Sequence, residues 1–346
     1  MPALRVAIAG CHRQTHKKPG SHNWSFAFDA VEETEIAAVF DLGTETREEF
    51  VGCWGDVPCF DDYQSMLSEV EPDIVCIATR QTMHADQIEQ AVSAGVKGIL
   101  SDKPLATSLA EADRIFNVLR KADVPLAFGL DRRWWPPYRY LQALIEDGAI
   151  GEPVGATAYS LPNLVNHGCH WFDALMLLLG DPEPVWVSGL VDDVSSEPQD
   201  SNRRLDPAGR GQVGFSDGVV AYITPNSGTG RSPAFDIFGD QGRLLSIEDT
   251  GKVYLWSASD TGPSSDMKVL SMPATEPDWP AGPAAVKDLV RAVQNKSLTA
   301  CDRDHARRAT EISFAFHESS QTGGAKVELP LENRERRIES YPWGNE

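Results

Sequence analysis

Over the first third of the chain, short apolar runs alternate with amphipathic stretches. The runs are LRVAIA (4–9), EIAAVF (35–40), DIVCIA (73–78), KGILS (97–101) and VPLAFG (124–129). Continuous β-branched apolar runs suit strands buried on both faces, and the segments between them carry apolar residues at helical spacing. Examples are Tyr63, Met66, Leu67 and Val70, and Ile88, Ala91 and Val92 closed by Gly95. The pattern predicts a parallel sheet covered by helices, a mononucleotide-binding Rossmann layout over residues 1–128.

From residue 129 the texture changes. PPYRYLQALIEDGAIG (136–151) reads as a helix opened by proline and closed by glycine, followed by a strand VGATAY (154–159) and a helix HWFDALMLLLG (170–180). Alternating strands broken by Gly, Ser and Asp turns then run to Leu270, and two helical stretches (283–294 and 303–320) precede a last strand, KVELP (326–330). This predicts a second α+β domain over residues 129–346 with a large, mostly antiparallel open sheet. SSEPQDSNRRLDPAGRG (195–211) reads as a polar surface loop.

Charge narrows the function classes. The 346 residues carry 31 Lys and Arg against 51 Asp and Glu, a formal net charge of -20. That balance disfavours nucleic acid and anionic membranes and favours small-molecule chemistry. No apolar window is long enough for a membrane span or a signal core, and the six cysteines form no C-x-x-C pair. A cytoplasmic protein with reduced thiols is expected.

The segment AGCHRQTHKKPG (9–20) stands where a glycine-rich phosphate turn belongs. Gly10 is present, His12 takes the second glycine position, and the third is lost in a lengthened loop. From Met1 to Phe28 the acidic protein has no acid at all, while Arg5, Arg13, Lys17 and Lys18 are basic and His12, His16 and His22 can donate. A diphosphate held by Gly10, His12 and Arg13 accounts for this local inversion. A zinc site of Cys11, His12, His16 and His22 is disfavoured by a spacing that fits no standard finger, so no metal is expected. Asp41, closing the second run, is either a ribose-binding acid that favours NAD over NADP or a turn-starting Asp before Gly43.

Three separated segments resemble the Gfo/Idh/MocA family of nicotinamide-dependent sugar and polyol oxidoreductases. The first is IATRQTMHADQIEQAVSAGVKGILSDKPLA, with Thr79, His84 and the triplet Asp102-Lys103-Pro104; the second is GLDRRWWPPYRYLQALIEDGAIGEPVGA, with Arg132, Arg133 and Pro136. The third, NHGCHWFDALMLLLGDPEPVWVSG, is similar to the family's D-x-G-x-H-x-x-D helix, with Asn166 in place of the first Asp, then Gly168, His170 and Asp173. The closing ESSQTGGAKVELP is also family-like, so the likeness spans nearly the whole chain.

The resemblance implies NAD as cofactor, with Thr79, His84, Asp102 and Lys103 beside it and Asp102 at the nicotinamide ribose. It implies that Lys103 hydrogen-bonds the reacting oxygen while His170 accepts its proton, and that Asn166, His167, His170 and Arg133 meet the substrate. Taken alone, the Asp102-Lys103-Pro104 triplet would read as a strand-end turn and His170 as a core histidine. Asn166 can orient a hydroxyl but cannot take a proton, and its residue type equally suits a helix N-cap. Trp134, Trp135 and Trp171 suit either sugar stacking or plain packing.

The expected function is hydride transfer between NAD and a secondary hydroxyl of a sugar, sugar acid or cyclitol. Redox-neutral chemistry through a transient ketone is the alternative, and a non-catalytic NAD-binding regulator a third that retention of Lys103 and His170 argues against. The resemblance also implies a homo-oligomer, a dimer or tetramer, joined through the open sheet of the second domain.

Overall fold

The computed structural model describes residues 2–196, 202–225, 233–257, 267–274 and 278–340. The chain divides into two compact units, one of residues 1–135 and 275–307, the other of 136–274 and 308–346. The second segment is therefore not continuous from 129, because the stretch 275–307 returns to the first unit. Its helix Ala281–Asn295 puts Ala285, Val286, Leu289 and Val290 into the first unit's core, against Trp24, Phe28 and Leu100.

In the first unit the apolar runs are strands β1 (Leu4–Ala9), β2 (Thr34–Phe40), β4 (Ile74–Ile77), β5 (Gly98–Ser101) and β6 (Leu126–Phe128), joined at one edge by a two-residue β3 (Cys59–Phe60). All pair in parallel in the order β3-β2-β1-β4-β5-β6. Neighbours of β1 thus diverge at the β1/β4 boundary, where an open α/β sheet leaves a crevice beyond its strand ends. Helices α1 (Trp24–Asp29), α2 (Thr44–Trp54), α3 (Tyr63–Val70), α4 (Gln81–Ser93) and α5 (Leu109–Ala122) connect the strands. Side chains start three of them: Asn23 accepts from the Phe26 amide, Asp62 from Ser65 and Ser108 from Glu111.

The second unit opens with α6 (Pro136–Glu146) and β7 (Pro153–Leu161), then α7 (Gly168–Leu178). Strands β8 (Pro184–Val191), β9 (Gly209–Phe215), β10 (Val220–Pro225), β11 (Ala234–Gly239), β12 (Gly242–Ile247), β13 (Lys252–Ser257), β14 (Lys268–Ser271) and β15 (Val327–Glu328) follow. They form a nine-stranded sheet ordered β14-β13-β12-β11-β7-β10-β9-β8-β15, antiparallel except where β10 meets β7. One face is apolar and buried, as at Phe235, Ile237, Leu244 and Val253. The other carries Tyr222, Thr157, Asp236, Leu245, Tyr254 and Val269 in register.

Of the expected surface loop at 195–211, residues 197–201 lie outside the described residues. The remainder is not a surface loop: it holds a short helix, Asn202–Leu205, the completely buried Asp206 and the start of β9.

Candidate active site

In the first unit the site residues gather at the C-terminal ends of β1, β2, β4 and β5, where a parallel sheet directs its loops. Gly10 follows β1 with φ 92°, and a Cβ there would stand 2.5 Å from the Ala78 carbonyl oxygen, so no other residue fits. Asp41 ties this turn to β2: Oδ2 accepts from the Cys11 amide at 2.8 Å and Oδ1 from the Gly43 amide at 2.8 Å. The turn-forming role of Asp41 is thus present. Each carboxylate oxygen still has lone-pair capacity for a ribose hydroxyl.

The lengthened loop between β1 and α1 is pinned from within. Gln14 donates from Nε2 to the His22 carbonyl at 2.9 Å and accepts the Ser25 amide at Oε1, 2.8 Å. Asn23 donates from Nδ2 to the carbonyls of His16 and Lys18 at 2.8 and 2.9 Å. His12, His16, Lys17 and Lys18 stay exposed, and Lys17 lies 5.0 Å from the Trp54 ring centre. Cys11 turns its thiol to the Phe40 carbonyl at 3.7 Å while His22 turns its ring to Asp102, so two members of the disfavoured zinc set go to different partners.

Beyond β5, Asp102 and Lys103 are buried. The Asp102 Oδ1 accepts from His22 Nδ1 at 2.7 Å and from the Lys103 amide at 2.8 Å. Burial alone would push the Asp102 carboxyl up. The charges of His22, Lys103 and Arg13 outweigh it and hold the group well below the usual carboxylate range, so it is an anion. Arg13 is half-buried: burial lowers its guanidinium pKa and the nearby Asp102 opposes that. An anion ringed by cationic groups in a desolvated strand-end turn is an arrangement suited to holding a polar ligand.

His84 is completely buried, with Nε2 3.1 Å from the Thr79 carbonyl. Burial lowers its pKa, so the ring is neutral and shapes the turn carrying Thr79. The Thr79 hydroxyl donates to Gln87 at 2.6 Å. Arg132 and Arg133 are buried in the single-turn helix Asp131–Trp134. Trp134 donates to Asp288 at 3.0 Å, and Trp171, in the second unit, donates to the Tyr159 carbonyl at 2.7 Å while 3% exposed. Each ring is thus fixed by its Nε1 edge.

In the second unit Asn166, His167, His170 and Asp173 lie at and within the start of α7. Asn166 is not the helix N-cap. The backbone cap is His167, whose own amide donates to Asn163 Oδ1 at 2.7 Å, and the Asn166 amide is taken by Asp206 Oδ2 at 2.8 Å. Asp206 also accepts from Val165 at 2.8 Å, Leu164 at 3.2 Å and the Ser340 hydroxyl at 2.6 Å. His170 is 5% exposed and Asp173 completely buried one turn further on.

Sequence reasoning missed two residues here. Asp206 sits in a polar run whose composition matches a solvated loop, and only the buried turn it holds reveals it. His22 showed as one donor among several in the acid-free opening stretch, without its partner 80 residues away.

A groove of about 600 Å³ between α3 and α4, lined by Leu67, Glu71, Asp86 and Glu89 among others, contains none of these residues. Asp86 and Glu89 are paired with Arg114 at 2.8 and 2.6 Å.

A family model described as an oxidoreductase family with an NAD-binding Rossmann fold matches residues 4–130, and the model of its C-terminal alpha/beta domain matches residues 156–329. The D-apiose dehydrogenase of Paraburkholderia graminis is 33% identical over 38% of this chain and 35% of that protein. The D-glucoside 3-dehydrogenase of Escherichia coli is 26% identical over 52% of this chain and 55% of its own length. The chain thus matches between about a third and just over half of the length of these relatives. Levoglucosan dehydrogenase, solved with NADH and levoglucosan, aligns with a TM-score of 0.77 over 95% of this chain and all of that one at 16% identity, a likeness of fold. Matched in order by both domain models, the chain belongs to the Gfo/Idh/MocA oxidoreductase family, with that family's NAD-binding Rossmann domain over residues 4–130.

Proposed function

We propose that the protein is an NAD-dependent dehydrogenase acting on a secondary hydroxyl of a sugar, sugar acid or cyclitol. The observation that carries this reading is the Asp102-Lys103 turn at the end of β5, desolvated and ringed by Arg13 and His22. A surface turn has no need of such burial; a lysine meant to meet a hydroxyl does. The named relatives act on sugars, which supports the substrate class.

The donor set fits a dinucleotide. Gly10 admits a close approach, Arg13 and His12 offer donors for the pyrophosphate, Asp41 offers acceptors for the adenosine ribose, and Asp102 and Thr79 stand nearer the nicotinamide end. A carboxylate at Asp41 repels a 2'-phosphate, so NAD is preferred to NADP. Bound NAD supplies the hydride acceptor. Lys103 donates a hydrogen bond to the reacting oxygen, His170 takes the hydroxyl proton, and Asn166, His167 and Arg133 orient the substrate.

A screen of sugars and cyclitols for NADH formation, beside mass spectrometry of the cofactor that co-purifies, tests this. Formation of NADH with a member of the panel is expected. Asn166 favours a second reading, redox-neutral chemistry, because an amide at that position cannot share a proton with His170. Substrate consumed with co-purified NAD and no NADH accumulating selects it.

We also place the protein in the cytoplasm as a homo-oligomer, a dimer or tetramer. The six cysteines are all free, which suits a reducing compartment. The outer face of the nine-stranded sheet carries Tyr222, 49% exposed, and Val269, 51% exposed, beside Arg243 stacked on Phe238 and Trp256. Such a face is suited to burial against a second copy. Light scattering coupled to gel filtration gives the subunit number, and a monomer at working concentration rejects it.

A further inference from the structure

His22 has φ 67°, the left-handed region that non-glycine residues avoid. Glu71, Asp123 and Lys296 share that conformation as helix C-caps, where it is ordinary, and Ser160, Asp181 and Trp279 share it elsewhere. His22 lies inside a loop. Strain of this kind persists only where the surroundings over-determine it, and it gathers at functional sites.

The surroundings do over-determine it. Gln14 holds the His22 carbonyl, Asn23 holds the carbonyls of His16 and Lys18, and the ring stands edge-on to Trp24 at 6.2 Å. The strained loop brings Nδ1 to Asp102 Oδ1 at 2.7 Å, with each side chain 11% exposed. Gly129 walls off the carboxylate from another side: a Cβ there would come 3.0 Å from Asp102 Oδ1 and 3.2 Å from Trp24 Cζ2.

The His22 imidazole and the Lys103 amide both donate to the same oxygen, Oδ1. A short carboxylate otherwise rotates freely about its Cβ–Cγ bond. Two donors on one oxygen stop that rotation and fix where Oδ2 points.

We propose that His22 is a positioning residue of the cofactor site, orienting the Asp102 carboxylate for the nicotinamide-side hydroxyls of the dinucleotide. This rests on the reading that Asp102 faces the cofactor. His22 touches no reacting atom and acts through Asp102.

The test is NAD affinity by calorimetry alongside thermal melting. His22→Gly removes the ring and relieves the backbone strain but also takes a hydrogen bond from a buried carboxylate, so melting is recorded to show that the variant is folded at the temperature of the binding measurement. Its NAD dissociation constant rises about tenfold, the effect of a lost hydrogen bond to a charged group. His22→Asn places an amide nitrogen where Nδ1 stood, in a residue that tolerates positive φ, and restores most of the affinity. In an Asp102→Asn background, His22→Gly adds nothing further.

Unchanged NAD affinity in a folded His22→Gly, no rescue by His22→Asn, or losses that add across the two positions would each overturn the proposal. The readout is binding, so failure of the wild type to oxidise any sugar sinks the functional reading alone. Turnover by the wild type with unaltered binding by His22→Gly sinks the positioning role alone.

Discussion

Asp206 accepts the backbone N–H of Asn166 at 2.8 Å across 40 residues of sequence, and the same carboxylate takes the amides of Leu164 and Val165 and the hydroxyl of Ser340. Three successive amides make a concave anion site, and a carboxylate of the chain itself fills it. The turn leading into α7, and with it Asn166 and His167, is held from beneath.

Asp206→Ala leaves the buried amides of Val165 and Asn166 without an acceptor, while Leu164 keeps the Pro207 carbonyl at 3.0 Å, and costs about 3 kcal/mol of stability. Ser340→Ala removes one donor among four and costs about 1 kcal/mol. Urea unfolding of the second unit measures both, and equal losses would contradict the ranking.

Gly10→Ala forces a side chain against the Ala78 carbonyl in a backbone conformation that disfavours one. The end of β1 must shift, at a cost of about 2 kcal/mol, and NAD binding falls with it. Calorimetry with NAD together with thermal melting detects both effects.

Asp41→Asn keeps an acceptor for one of the amides of Cys11 and Gly43 but removes the charge. The preference for NAD over NADP falls about tenfold, mainly through stronger NADP binding. Paired dissociation constants for the two cofactors give the ratio.

His317, in the helix Arg303–Gln321, is held down to about 4, by burial first and by the charge of Arg336 second. The folded protein therefore keeps this ring neutral where the unfolded chain, titrating near 6.5, already takes up a proton. Stability is complete above that value and declines as the pH falls through the window to about 4, by on the order of 3 kcal/mol. His317→Leu removes the proton uptake. Between neutral pH and the acid end of the window the wild-type urea midpoint falls relative to that of the variant.

The first unit's sheet was legible because strands buried on both faces read as unbroken apolar runs, as in LRVAIA and DIVCIA. β3 was not, since two residues give no period. The helix Ala281–Asn295 was legible as a helix but not as part of the first unit, because an amphipathic stripe does not say which sheet it will cover.

Asn166 looked like a cap from its residue type, and the fold gave the neighbouring acceptor role to Asn163. Asp206 and His22 act through partners 40 and 80 residues away, and nothing local marks a polar residue whose partner is that distant.

The central claim is that Lys103 and His170 serve hydride transfer from a sugar or cyclitol hydroxyl to NAD. The most direct measurement is the rate of NADH formation, over a panel of such substrates, for the wild type, Lys103→Ala and His170→Ala, with NAD affinity measured on each. The account predicts NADH from the wild type and kcat about a thousandfold lower in both variants, with NAD binding retained in His170→Ala. Turnover that survives the loss of Lys103 would contradict it.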